Sequence, residues 1–292
     1  AMIGLDVILQ TCLSGVFMGS VYALIAIGFT LVFGVTNIVN FAHGHFVMGA
    51  MFVTYLLFKT ANVDPYVSLI VVLPLFFALG ALLYKLVIER IVEAPHSAHM
   101  MVTLGLLIFL ENVANFFFGG DLRGITTTYT TSSFIVGAVS VPIARLGAAG
   151  VSLAAVVALA LFLHRTSLGK AIRASANNRE GASLVGIDVG RVYLIAFSLG
   201  TAAAALAGAV IMPFSLVSPF VGGEFILKAF VIAVLGGLGS VAGALIGGLL
   251  IGLVEALSSL YISASLGNAI VFAILIAVLL YRPWGILGQA RV

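Results

Sequence analysis

Apolar runs of about twenty residues recur along this 292-residue chain, and no other feature narrows its fold so far. A bilayer core of roughly 30 Å takes about 20 helical residues to cross, and backbone groups inside it must be satisfied within helices or a closed barrel. The runs fall near residues 7–34, 37–58, 66–87, 98–118, 147–164, 192–212, 225–239, 241–261 and 267–281. The alternating segments of about ten residues that mark a membrane β-barrel do not occur. With 62% hydrophobic and 8% charged residues, the chain lies far outside the soluble range. The expected fold is an all-α polytopic membrane protein of about eight to nine segments by this length criterion. It forms one transmembrane domain over residues 1–292.

Some segments are expected to be broken or re-entrant. Gly34, Asn37 and Asn40 interrupt the boundary between the first two runs, and Gly236-Gly237-Leu238-Gly239-Ser240 divides residues 225–261. Non-helical backbone at membrane depth survives only where protein or a water-filled cavity satisfies it. If every segment crosses once, the loops 85–97 and 165–191 share a face with the C-terminal tail. That face carries Lys85, Arg90, Arg165, Lys170, Arg173, Arg179, Arg191, Arg282 and Arg291, against Lys59, Arg123 and Arg145 opposite. Positive charge marks the cytoplasmic side, so the C-terminus is expected to be cytoplasmic. Reading 225–261 as one span would weaken this bias, which favours the break. The start of the chain carries Asp6 rather than a basic stretch, so no cleavable signal peptide is expected.

Two loops stand out. Residues 165–191 are polar and basic, and read as a platform for a soluble partner on the cytoplasmic side. Residues 119–146 form a long extracytoplasmic loop rich in threonine from Thr126 to Thr131, with β-prone stretches around Phe134–Val141 that suit a small hairpin. Small residues repeat at intervals of four at Gly15 and Gly19, at Gly200, Ala204 and Gly208, and at Gly239, Gly243 and Gly247. Such faces let helices approach closely, and packing within the chain is favoured over a subunit interface.

The inventory of reactive groups argues against an enzyme. His43 and His45 are close in sequence, but i,i+2 spacing points them to different helix faces. His96 and His99 read as solvated loop residues. Neither HExxH, GxSxG nor a Walker phosphate loop occurs, so no metal and no nucleotide is assigned to the chain. Cys12 is the sole cysteine, which rules out an intrachain disulfide. A net charge of +3 is too small to suggest nucleic acid. Ionisable groups inside the membrane are functional candidates by default. Glu111 sits near the middle of its run beside Asn112 and Asn115, and Glu224 and Lys228 have the i,i+4 spacing of a local ion pair. Asn37, Asn40, His43 and His45 belong either to a wet translocation route or to a polar cluster that pins the helix break.

Motifs along the chain are more specific. Gly19-Ser20-Val21-Tyr22-Ala23-Leu24, Phe33-Gly34 and Asn40-Phe41-Ala42-His43-Gly44 resemble the opening of permease subunits of branched-chain amino-acid ABC importers. Glu180-Gly181-Ala182 followed by Gly186 is similar to the EAA-x-x-x-G pattern of ABC permeases, with Gly181 in place of the central alanine. Leu235–Ser240 and Pro283-Trp284-Gly285-Ile286-Leu287-Gly288 also fit. His45 departs from the acidic residue that family members commonly carry after His-Gly.

The resemblance implies an ATP-driven importer of branched-chain or related amino acids in a bacterial inner membrane. It implies a second related permease subunit, two cytoplasmic ATPase subunits that bind ATP and Mg, and an extracytoplasmic substrate-binding protein. On this reading Lys170, Arg173, Glu180, Gly181, Ala182 and Gly186 belong to the ATPase-coupling element. The translocation route takes Asn37, Asn40, His43, His45 and Glu111. Arg123 and Arg145 are candidates for docking the binding protein, against a loop that only connects helices. The same superfamily includes permeases for urea, amides and sugars. A passive channel or ion-coupled transporter is the alternative from another class.

Overall fold

A computed structural model describes residues 5–136, 139–282 and 285–286, and the chain is 79% helical. The helices are α1 (Leu5–Thr36), α2 (His43–Ala61), α3 (Pro65–Leu83), α4 (His96–Phe118), α5 (Ile143–Arg165), α6 (Ser167–Asn177), α7 (Arg179–Leu184), α8 (Val189–Ile211), α9 (Val221–Gly236), α10 (Val241–Tyr261) and α11 (Ala264–Tyr281). A π-helical turn, Tyr84–Ile88, prolongs α3. Strands β1 (Ser133–Val136) and β2 (Val139–Pro142) pair antiparallel, Ser133 opposite Pro142 and Phe134 opposite Val141. The hairpin expected in the long loop is therefore present. Pro283, Trp284, Leu287, Gly288 and Arg291, which entered the motif and charge arguments, lie outside the described residues.

Six helices are long and apolar enough to cross a membrane: α1, α3 with its π-turn, α4, α5, α8 and α10. The remaining helices are shorter or less apolar. At about 1.5 Å per residue, the 16 residues of α9 reach only about 24 Å, less than a bilayer core of roughly 30 Å. Both expected breaks form. Residues 37–42 are non-helical between α1 and α2, and α9 ends at Gly236 before α10 begins. Gly237 and Gly239 have φ of 96° and 90°, a region open to glycine and costly to other residues, so this turn is written in its glycines.

The bundle is organised around α1, which packs against α5, α8, α9 and α10. Glycines set the spacing. A Cβ on Gly19 would lie 2.8 Å from the carbonyl oxygen of Gly248, and one on Gly28 would lie 2.8 Å from that of Gly200. The small-residue stripes are thus consumed inside the chain. On α10 the register differs from expectation: Gly248 and Gly252 face α1, whereas Gly243 abuts Gly236 across the α9–α10 turn. Alternate rings of the interior meet edge to face, as Phe46 does with Phe197 at 6.3 Å, an arrangement favoured by the aromatic quadrupole.

Most helix starts carry a side-chain cap. Asp64, Thr166, Asn178, Asp188, Ser240 and Ser263 accept from backbone N–H groups at the starts of α3, α6, α7, α8, α10 and α11. The starts of α4 and α5, at Pro95 and Pro142, have none, and neither do those of α2 and α9, at Ala42 and Phe220. The latter two helices begin against one another inside the bundle.

Candidate functional site

The break after α1 is a dense polar cluster. Asn37 closes α1 in the left-handed region, φ 58°, with its N–H on the carbonyl of Phe33, and its side chain is exposed. Asn40 is fully buried, and its Oδ1 accepts from the N–H of Ala42 at 3.1 Å. The backbone then enters α2 with two buried histidines facing different neighbours, as their spacing predicts. Nε2 of His43 lies 3.1 Å from the carbonyl of Ile25 on α1 and must donate, because a carbonyl only accepts. Nε2 of His45 lies 3.4 Å from Oε2 of Glu111 on α4. Thr103 on α4 adds a bond to the carbonyl of Val39 at 3.2 Å. Asn40, His43, His45 and Glu111 are therefore brought together around the start of α2, while Asn37 stands apart at the end of α1. Buried nitrogens without a partner remain here: Asn40 Nδ2, His43 Nδ1 and His45 Nδ1.

The first turns of α2 and α9 touch backbone to backbone. A Cβ on Gly44 would overlap the carbonyl oxygen of Gly222 and lie 2.5 Å from the N atom of Ile226, and the ring of His45 covers Gly222. A cleft of ≈ 240 Å³ opens beside His45 between α2, α3 and α4, lined by Phe52, Phe76 and Phe117 among others. The uncapped starts of two short helices, the orphaned histidine and amide nitrogens, and Glu111 thus share one region of the bundle.

A second charged cluster ties α1, α9 and α10. The expected local pair between Glu224 and Lys228 does not form. Lys228 Nζ instead lies 2.7 Å from Glu255 Oε1 and 2.9 Å from the hydroxyl of Tyr22, 4.7 Å from that ring's centroid. The reason is burial: Lys228 is 13% exposed, and a buried ammonium takes the acceptors available inside. No spacing rule links positions 22, 228 and 255. His99 is a further correction. It is buried, with Nε2 2.7 Å from the carbonyl of Ile91, because α4 begins at His96 and takes His99 into its first turn.

The basic loop 165–191 folds as α6 and α7 with a short turn into α8. Lys170 is exposed, and Arg173 uses Nε to bond the carbonyl of Leu163 at 3.0 Å, capping the end of α5. Glu180 is exposed in the first turn of α7, whereas Ala182 is buried. The N–H of Gly181 donates to Asn178 Oδ1 at 2.8 Å. Gly186 has φ 84°, and the N–H of Ile187 returns to the carbonyl of Ala182. That is a glycine-terminated helix end, which accounts for the spacing between Glu180 and Gly186. Arg179 pairs with Glu93 and stacks over Tyr193, and the Glu93 carboxylate raises the Arg179 pKa above its ordinary value. Sequence reasoning missed an apolar feature of this loop: Leu184 and Val185 are 88% and 77% exposed. An apolar pair inside a polar loop was the available signal.

At the opposite end, the backbone of Arg123 pairs with Val217 in both directions. Its guanidinium bonds the carbonyl of Phe118 and lies 5.7 Å from the centroid of Tyr55. Arg145 sits in the first turn of α5 with its guanidinium 5.9 Å from the ring of Phe214. The long loop is thus pinned to the bundle by the residues selected from it.

Six membrane-length apolar helices, with two further helices starting against one another inside the bundle, make this a multi-pass membrane protein. The chain belongs to the family described as branched-chain amino acid transport system, permease component, whose sequence model matches residues 11–279. It is 36% identical to the high-affinity branched-chain amino acid transport system permease protein LivH of Salmonella typhimurium, over 97% of this chain and 96% of that one. It is 31% identical to the corresponding protein BraD of Pseudomonas aeruginosa, over 97% of each. It is 28% identical to the probable branched-chain amino acid transport permease protein LivH of Methanocaldococcus jannaschii, over 94% of this chain and 90% of that one. No solved structure matches the chain.

Proposed function

We propose that this protein is the permease subunit of an ATP-driven importer that passes branched-chain or related amino acids across the bacterial inner membrane by alternating access. Family membership and the full-length relatives support the substrate class. The single observation that carries the partner-driven reading is the exposed pair Leu184–Val185 at the end of α7. A large apolar pair in water beside a groove of ≈ 460 Å³ formed with Glu180, Ser183 and Val189 is a docking knob, since such surface is usually covered by a partner. Its partner is a cytoplasmic ATPase subunit, two of which bind ATP and Mg, and Lys170, Arg173, Glu180, Gly181, Ala182 and Gly186 shape the element that meets it. A second related permease and an extracytoplasmic binding protein complete the importer.

The topology that fits best has nine membrane segments, α1–α5 and α8–α11, with the C-terminus cytoplasmic. Its support is geometric. The N–H of Ile286 donates to the carbonyl of Leu235 at 2.8 Å, so the tail returns to the α9–α10 turn. A cavity of ≈ 300 Å³ joins that turn to Gly34, His164 and Arg173, which supports a common end for the tail, the α5–α6 corner and the basic loop. Asn40, His43, His45 and Glu111 then line or brace the translocation route within the membrane. The test is Leu184→Asp combined with Val185→Asp in the complete transport system. Loss of ATPase copurification and of amino-acid uptake, with the chain still inserted, is expected. Copurification and uptake at parental levels would remove α7 as the docking element.

A further inference from the structure

The cavity of ≈ 300 Å³ at the α5–α6 corner has a basic wall. It lies where two membrane-length helices stop, with Val35 in the last turn of α1 and His164 in the last turn of α5. The cavity therefore sits at the rim of the membrane rather than within it. Arg173 reaches it from α6, with Nε bonded to the carbonyl of Leu163 at 3.0 Å, so its guanidinium is held next to His164. A guanidinium has five N–H donors, and this bond uses one. Among the described residues Arg173 forms no ion pair, and no carboxylate lies on the wall. Ser240, at the start of α10, adds a hydroxyl. Its Oγ accepts from the N–H of Gly243 at 3.0 Å, which leaves the O–H to donate.

That wall suits a phosphate group. Guanidinium forks bind phosphate oxygens in pairs, and the volume falls at the small end of the range for ligand sites, about 300–1,000 Å³. The rest of the wall includes Leu31, Val35 and Ile172, so the best match is an anion joined to an apolar body. A track for that body leads to the cavity. Leu153, Val157 and Leu161 on α5 are 38%, 56% and 53% exposed. Their i,i+4 spacing sets them on one helix face, and His164 follows three residues later on the same side. From Leu153 to His164 the helix rises about 16 Å, close to one leaflet of a core roughly 30 Å thick. An apolar stripe one leaflet long that ends at a basic pocket has the profile of a phospholipid. Basic pockets between membrane helices on the cytoplasmic side take anionic lipid head groups.

We propose that this cavity holds the phosphate head group of an anionic phospholipid, with Arg173, His164 and Ser240 as its donors and an acyl chain lying along Leu153, Val157 and Leu161. The bound head group ties α6 to the ends of α1 and α5 and to the α9–α10 turn. The competing account is diffuse attraction of anionic lipid to a basic surface, in which every cation near the membrane counts alike.

The protein is extracted with the subunits that copurify and placed in phosphatidylcholine nanodiscs containing phosphatidylglycerol with a diazirine on its head group. After illumination, cross-links on this chain are mapped by peptide mass spectrometry and scored per inserted copy, so the assay needs no transport activity. They should fall within residues 160–164, 172–176 and 239–242, the segments that enclose the cavity. Arg173→Gln should lower this labelling about tenfold, the loss expected for one charge-assisted contact. Ala176→Phe, which fills the cavity and removes no charge, should lower it comparably, and it decides the question if Arg173→Gln fails to insert. Arg165→Gln removes an exposed cation at the end of α5 that does not line the cavity, and should label like the parent. Excess unlabelled phosphatidylglycerol should compete, and excess inorganic phosphate should not. Equal losses in Arg165→Gln and Arg173→Gln, parental labelling in Ala176→Phe, cross-links confined to other segments, or displacement by inorganic phosphate would each overturn the proposal.

Discussion

Replacing Gly44 by alanine tests the idea that α2 and α9 meet backbone to backbone. The added Cβ would overlap the Gly222 carbonyl and lie 2.5 Å from Ile226 N, whereas ordinary contacts begin near 3.4 Å. Helix α2 must therefore retreat by at least about 0.9 Å, the difference of those two distances, and further to clear the Gly222 carbonyl. Neither obstacle is a side chain that can rotate away. Overpacking of this kind costs about 1–3 kcal/mol, and the rigid neighbours place Gly44→Ala at the upper end. Alanine's helical advantage over glycine returns at most about 1 kcal/mol, leaving a net loss of about 2 kcal/mol. At about 2 °C per kcal/mol, the lower end of the range for large domains, Tm should fall by about 4 °C. The control is Gly105→Ala on α4, where nothing lies within 4 Å of the new atom, and it should be neutral or stabilising by up to about 1 kcal/mol. The assay is the fraction of detergent-purified chain that stays monodisperse after heating. Equal stability of Gly44→Ala and the parent, or equal losses in both variants, would refute the packing argument.

Two further outcomes are expected. His45→Ala and Glu111→Ala should each cost about 1–2 kcal/mol, since each leaves a partner unpaired, and the double variant should cost little more than either alone. Additive losses in the same heating assay would mean that the α2–α4 contact is not made. If the outer loop docks the binding protein, Arg145→Ala should weaken docking by about 0–1 kcal/mol, and reversal of both Arg123 and Arg145 should weaken it more at low salt than at high salt. Binding-protein-stimulated ATPase activity that is unchanged at low salt in the double reversal would remove these arginines from the docking site.

Segment positions were legible because the membrane imposes them locally. Each apolar run became a helix, both glycine- or asparagine-marked breaks formed, and the hairpin appeared where alternation and threonine content pointed. The candidate site was legible in part. His43 and His45 part as i,i+2 spacing demands, but that spacing does not say which helices they reach. Lys228 was assigned to Glu224 by proximity in sequence, and the assignment failed because Glu255 and Tyr22 come to it from helices distant along the chain.

What the sequence determined by itself is therefore the set of helices, their breaks, the family and the protruding loop, all written in local composition or contiguous motifs. Tertiary structure alone decided which glycine face of α10 meets α1, which partner each buried charge takes, and that α2 and α9 begin against each other. The physical reason is that burial makes a polar group choose among whatever acceptors packing brings near, and packing is settled by close approach of small residues from different helices. Helical spacing encodes a face and not its neighbour, so those pairings exist only once the bundle has closed.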